Sequence, residues 1–198
     1  MSTNSIGKLV IIASSTGGPK ALHQVIPKLS KRLDAPVVIV QHMPKGFTAT
    51  LADRLNATSE ITVTESVEGQ FLEKGHVYLA KGGVHLTLKQ EHDGRIVICD
   101  DYSDPINGLR PCADITFSSV SHLKFDKVIC VVLTGMGSDG CEGIKNLREK
   151  QEIYTIAQHK DSCVVYGMPK AIVDHGMADC VLPLDEIGDE IMKKVGVF

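Results

Sequence analysis

The chain has 198 residues, 43% of them hydrophobic, and a net charge of -3. That size suits one globular domain with a substantial core, and a slightly acidic balance without clustered Lys or Arg excludes nucleic acid as the main partner, because phosphate binding needs a basic face. Six cysteines lie scattered beside apolar runs with no Cys-x-x-Cys pair, which reads as buried free thiols in a reducing cytosol, not as a zinc site or a disulfide framework.

In chain order, Met1 to Ser5 are polar and lack an apolar signal core, and no later run approaches the ~20 apolar residues of a membrane span. A soluble, cytoplasmic protein without membrane insertion is expected. Residues 1–7 read as a polar lead and 8–198 as a single α/β domain. The run Leu9 to Ala13 predicts a strand that breaks into Ser14-Ser15-Thr16-Gly17-Gly18. Pro19 to Leu29 then places Ala21, Leu22, Val25, Ile26 and Leu29 on one helical stripe, with Pro19 suited to the first turn. Further apolar runs at Pro36 to Val40, Val128 to Leu133, Tyr154 to Ala157 and Cys180 to Leu182 do not alternate, as expected of strands covered on both faces. Helical patterns fall at Thr48 to Leu55, Pro111 to Leu123, Gly143 to Arg148, Pro169 to Asp174 and Asp185 to Val195. Between them, Val84, Leu86 and Leu88 alternate with polar residues, and Asp93-Gly94 precedes Ile96 and Ile98, the pattern of an antiparallel hairpin exposed on one face. The expected fold class is α/β: a doubly wound, mainly parallel sheet with helices on both faces and an antiparallel β-hairpin excursion.

Three polar clusters follow predicted strands: Ser14 to Gly18, Gln41-His42-Met43-Pro44, and Thr134 to Gly140. Chemistry in open parallel sheets gathers beyond the carboxyl ends of strands. If those strands are neighbours, the clusters supply a hydroxyl, an imidazole and a carboxylate for a Ser/His/Asp relay, in which histidine takes the serine proton and the carboxylate fixes its tautomer. Each piece also has a structural reading. The Ser-Thr-Gly-Gly turn suits a helix cap or the phosphate cradle of a nucleotide-binding module, His42 suits a hydrogen-bonded strand end, and Asp139 before Gly140 suits a helix N-cap. The turn lacks the Gly-rich fingerprints of the common nucleotide loops.

Taken together, Ser15-Thr16-Gly17-Gly18, Gln41-His42-Met43-Pro44 with Gly46-Phe47-Thr48, Leu133 to Gly137 with Asp139-Gly140, Cys163 to Pro169, and Arg110-Pro111 with Asp114 resemble the catalytic domain of the bacterial chemotaxis protein-glutamate methylesterases, the CheB family. The likeness runs in order from about Lys8 to Leu184. It implies Ser15 as nucleophile in preference to Ser14, His42 as general base, Asp139 as the orienting carboxylate, and the backbone N–H groups of Thr16 and Met136 as the oxyanion hole. It implies hydrolysis of glutamyl methyl esters on the cytoplasmic helical bundle of chemoreceptors, together with glutamine deamidation, without a metal or organic cofactor. Arg110, Met43 and Met168 are candidate substrate contacts, although Met more often fills core gaps and the Arg110, Asn107 and Asp114 group can be read as the start of a helix. Complete family members carry an N-terminal receiver domain, which is not expected in this stretch.

Overall fold

The structure, a computed structural model, describes residues 6–196. The polar lead expected over residues 1–7 therefore lies mostly outside the described residues. Nine strands and six α-helices are present among them: β1 (Lys8–Ser14), α1 (Gly18–Val25), β2 (Val37–Gln41), α2 (Thr48–Ala57), β3 (Thr62–Glu65), β4 (His76–Leu79), β5 (His85–Gln90), β6 (Ile96–Asp101), α3 (Ala113–Val120), β7 (Lys127–Val132), α4 (Cys141–Arg148), β8 (Ile153–Gln158), α5 (Met168–Asp174), β9 (Cys180–Leu182) and α6 (Leu184–Val195). Seven strands form one sheet in the order β3-β4-β2-β1-β7-β8-β9, and each of its pairings is parallel.

The unbroken apolar runs are explained by the two cores. Along β1, Leu9, Ile11 and Ala13 enter one cluster with Phe117, Ile144, Met168 and Ile172 of α3, α4 and α5. Val10 and Ile12 enter the other with Leu22, Leu51, Ile187 and Ile191 of α1, α2 and α6. Both faces are dry, so a strand there has no polar face to alternate with. Burial of this kind is worth roughly 25 cal/mol per Å² of apolar surface removed from water.

The hairpin is β5 paired antiparallel with β6. It turns through Asp93-Gly94, where Gly94 N–H donates to Glu91 O at 2.9 Å. Its apolar face, Leu86, Leu88, Ile96 and Ile98, is buried against the α3 side of the sheet. Thr116 Oγ1 donates to Leu86 O at 2.7 Å, and Ser119 Oγ accepts the Leu88 N–H at 3.1 Å.

Three elements depart from the expected pattern. The parallel strands β3 and β4 were not expected; β3 is a sheet-edge strand of sequence Thr-Val-Thr-Glu, and four residues with two threonines carry no apolar run. The helix expected from Pro111 instead begins at Ala113, because Cys112 is extended at φ -121° and ψ 129°. The Arg110–Pro111 peptide is cis.

Candidate active site

The order β2-β1-β7 makes neighbours of the three strands whose ends carry the polar clusters. The strand order also reverses between β1 and β7: the crossover from β1 runs to β2 on one side, and that from β7 runs to β8 on the other. Such a switch point leaves a crevice at the strand ends. The register aligns Ser14 with Gln41 and Ala13 with both Val40 and Val132, so the three chains leave the sheet at one level.

His42 and Asp139, 97 residues apart, meet there. His42 Nε2 lies 2.6 Å from Asp139 Oδ2, with the two side chains 8% and 5% exposed. The other ring nitrogen, His42 Nδ1, is buried and has no partner among the described residues. Ser15 is half-buried just beyond β1. Its N–H donates to Thr134 O at 3.0 Å, while its hydroxyl is not hydrogen-bonded to His42. A serine hydroxyl swings among three staggered positions at little cost, and such bonds commonly close only when substrate is bound.

Ser14 is excluded as a nucleophile. It is fully buried and donates its hydroxyl to Gln41 Oε1 at 2.7 Å. Gln41 Nε2 in turn donates to Ser15 O and His42 O, each at 3.0 Å. One buried carboxamide thus joins the serine turn to the histidine strand, a role that the sequence pattern did not reveal. Thr134 does the same on the other side: its Oγ1 donates to Thr16 O at 2.9 Å and accepts the N–H groups of Val164 and Val165 at 3.0 Å.

The turn itself leaves backbone donors open. Gly17 has φ +85°, a left-handed conformation that favours glycine. The Thr16 and Met136 N–H groups have no partner among the described residues. The Gly18 N–H is committed to Ser15 O at 2.8 Å.

Asp139 is not the N-cap of the helix that follows it. Its Oδ2 accepts the Ala113 N–H at 2.6 Å, and its Oδ1 accepts the Asp114 N–H at 2.9 Å and the Cys112 thiol at 3.0 Å. It therefore caps α3, from across the site. In return Asp114 Oδ1 accepts the N–H groups of Gly140 at 2.9 Å and Gly143 at 2.7 Å, and so caps α4. Burial alone would raise Asp139, yet the hydrogen bond from His42 and those from Ala113, Cys112 and Asp114 outweigh it and hold the carboxyl down to about 2. Burial pushes Asp114 up to about 6, with the Asp139 charge adding to it against the Gly143 and Gly140 donors. Burial, reinforced by the adjacent Asp139 charge and the bond to it, pushes the Cys112 thiol up to about 12.

Cys112, Asp114 and Asp139 bring ligand-type atoms within 4.8 Å of one another. Those carboxylates face the N-termini of two helices and accept N–H donors from them, and the thiol keeps its proton. The donor set fits a capping network and not a cation.

The remaining candidates divide. Met136 is 73% exposed at the rim, whereas Met168 is 1% exposed and fills the core as the first residue of α5. Met168 is thus corrected from a substrate contact to a packing residue beneath Gly135. Met43 is partly buried against the α1 and α2 side. Arg110 Nη1 donates to Ser103 O at 3.0 Å and so braces the loop before it. A cleft of about 270 Å³ beside Asp139 is walled by Ile106, Asn107 and Leu109 on one side and Met136, Gly137 and Ser138 on the other. That volume is the size of one side chain.

A family model for CheB methylesterase matches residues 10–191. The protein-glutamate methylesterase/protein-glutamine glutaminase 1 of Syntrophomonas wolfei is 46% identical over 190 residues, covering 94% of this chain and 54% of the relative. The protein-glutamate methylesterase/protein-glutamine glutaminase of Thermotoga maritima is 45% identical over 192 residues, covering 96% of this chain and 54% of the relative. The chain thus spans about half the length of these relatives. The crystal structure of the Thermotoga maritima CheB methylesterase catalytic domain superimposes with a TM-score of 0.91 at 45% identity, covering 95% of this chain and 98% of that one.

Proposed function

Because the chain belongs to the CheB methylesterase family, we propose that it hydrolyses glutamyl methyl esters, and deamidates glutamines, on the cytoplasmic helical bundle of chemoreceptors. The observation that carries this reading is the buried His42–Asp139 pair with its one free ring nitrogen at the end of the strand next to Ser15. Among the described residues no helix is long and apolar enough to cross a membrane, and the chain acts on the receptor in the cytoplasm.

In the reaction, Ser15 Oγ attacks the ester carbonyl carbon as its proton passes to His42 Nδ1. Asp139 holds the Nε2–H and stabilises the imidazolium that forms. The carbonyl oxygen becomes an oxyanion that accepts the Thr16 and Met136 N–H groups, donors already fixed in place before the charge develops. Collapse breaks the bond to methoxide, which takes the proton from His42 and leaves as methanol. Water then gives a proton to His42 and attacks the glutamyl-serine ester, releasing glutamate and restoring Ser15. With glutamine the leaving group is ammonia, and every other step is the same.

Methanol release from methylated receptor membranes tests this reading. The wild-type protein turns over, and Ser15→Ala loses several orders of magnitude in kcat while its circular dichroism is unchanged. Wild-type rates from Ser15→Ala would refute it, and saturable nucleotide binding without esterase activity would favour the phosphate-binding module instead.

A further inference from the structure

Neither α3 nor α4 is capped by its own N-cap side chain: the N-cap positions are Cys112 and Gly140, and no side-chain cap bond is made at either. Each helix takes its cap from the chain at the other's N-terminal end, Asp139 just before α4 serving α3 and Asp114 in the first turn of α3 serving α4. A cap needed only for stability could come from the residue preceding each helix. The exchange adds a mechanical link. Asp139 is joined to α4 through Gly140, which stands at φ +96°, and the N–H that Asp114 grips is that of the Asp139–Gly140 peptide. The loop carrying Asp139 cannot shift without breaking N–H bonds at both helices.

The far side of this junction is fixed as well. His85, fully buried, accepts the Cys112 N–H on Nδ1 at 3.1 Å, and its Nε2 lies 3.3 Å from Asp104 O. The start of α3 is thereby pinned to β5 before it meets Asp139. Asp114 is thus the only side chain among the described residues that reaches from this pinned helix to the peptide behind Asp139.

We propose that Asp114 is a positioning residue for the Asp139 carboxylate: by capping α4 from α3 it holds the Asp139–Gly140 peptide, and with it the line from Asp139 to His42. The proposal rests on the hydrolase reading above. Asp114 acts through Asp139 and takes no proton from substrate. Without it two N–H groups at the start of α4 lose the one oxygen that accepts them and the Asp139 loop relaxes, so the carboxylate sits off the Nε2–H axis and the imidazolium is stabilised less well.

Asp114→Ala and Asp114→Asn test this on the full chain, with kcat and KM for receptor methyl ester and the downfield proton resonance of the His42–Asp139 hydrogen bond as readouts. Asp114→Ala lowers kcat roughly ten- to a hundredfold at unchanged KM, as expected of a small misplacement, and shifts or broadens the resonance. Asp114→Asn, which keeps an acceptor oxygen, recovers most of the lost kcat. A variant that melts at lower temperature yet keeps wild-type kcat and the same resonance overturns the proposal. Should Asp114→Ala fail to fold, Asp114→Glu decides: the added methylene displaces the capped peptide, so a fall in kcat at constant KM supports the proposal and a wild-type kcat overturns it. The resonance needs no turnover, so an inactive wild-type protein sinks the hydrolase reading while Asp114 is still judged by the spectrum.

Discussion

Gly135 is the residue on which the serine turn leans, and Gly135→Ala isolates that contact. Its φ is not positive, so the backbone accepts alanine without strain. The obstacle is space. A Cβ built at Gly135 lies 2.8 Å from Ser15 Cβ and 3.1 Å from Met168 Cγ, with Met168 Sδ nearer still. Carbon atoms settle at about 3.5 Å or beyond, so both Met168 and Ser15 must retreat, Ser15 Cβ by roughly 0.7 Å. Met168 is 1% exposed, so the surrounding core opposes its movement and throws more of the strain onto Ser15. Overpacking of this kind costs about 1–3 kcal/mol, or roughly 2–4 °C of Tm for each kcal/mol in a chain of this size. The expected catalytic loss is of similar size in free energy. Displacement of the proposed nucleophile by about 1 Å costs on the order of a hundredfold in rate, or about 2.7 kcal/mol, and it falls on kcat because Oγ is proposed to act in the chemical step. The assay is kcat and KM for methanol release well below the melting temperature, beside a thermal melt. A Gly135→Ala protein with wild-type kcat and Tm shows that Ser15 is not seated against this loop as described.

Other outcomes follow from the same geometry. Gln41→Leu leaves the Ser14 hydroxyl and the His42 carbonyl without their carboxamide partner, while Ser15 O keeps the Gly18 N–H, at about 1–3 kcal/mol for each buried group left unpaired; the urea midpoint falls, and an unchanged midpoint contradicts the tie. Cys112→Ser keeps a donor to Asp139 and holds activity near wild type, whereas Cys112→Ala lowers kcat/KM; equal activity in both removes the thiol from the network. Because folding depresses Asp139 to about 2, its contribution to stability is present above the unfolded aspartate value of about 3.9 and is lost as pH falls through about 2. Melts taken from pH 5 down to 2 should therefore decline more steeply for wild type than for Asp139→Asn, and parallel curves would contradict the assignment.

Much of this was legible in the chain itself, for physical reasons. Strands buried on both faces have to be apolar throughout, so β1, β2 and β7 announce themselves. The clusters at their ends are visible because polar residues following such runs need a reason to be there. β3 and β4 stayed hidden because Thr62 to Glu65 is half-exposed and His76 to Leu79 is only four residues long, too little for a period to emerge. The candidate triad could be named from its residue types and the family resemblance, but the supporting bonds could not. Asp139 capping α3 and Asp114 capping α4 join residues about 25 positions apart, and no local pattern separates that exchange from two ordinary helix starts. Gln41 was in plain view beside His42, but the sequence gives no sign of which backbone groups its carboxamide reaches.

The placement of β1 between β2 and β7 bears on how the protein is made. β2 arrives soon after β1 and covers one of its edges. The other edge waits for Lys127 to Val132, so a growing chain carries Leu9 to Ala13 with its backbone groups open on one side until those residues have been made. An uncharged, β-branched segment with a free edge invites pairing with another chain. Ser15 and His42 follow the first pair of neighbouring strands, whereas Asp139 follows β7. The strand that closes this edge is therefore also the one that brings in the third member of the proposed triad.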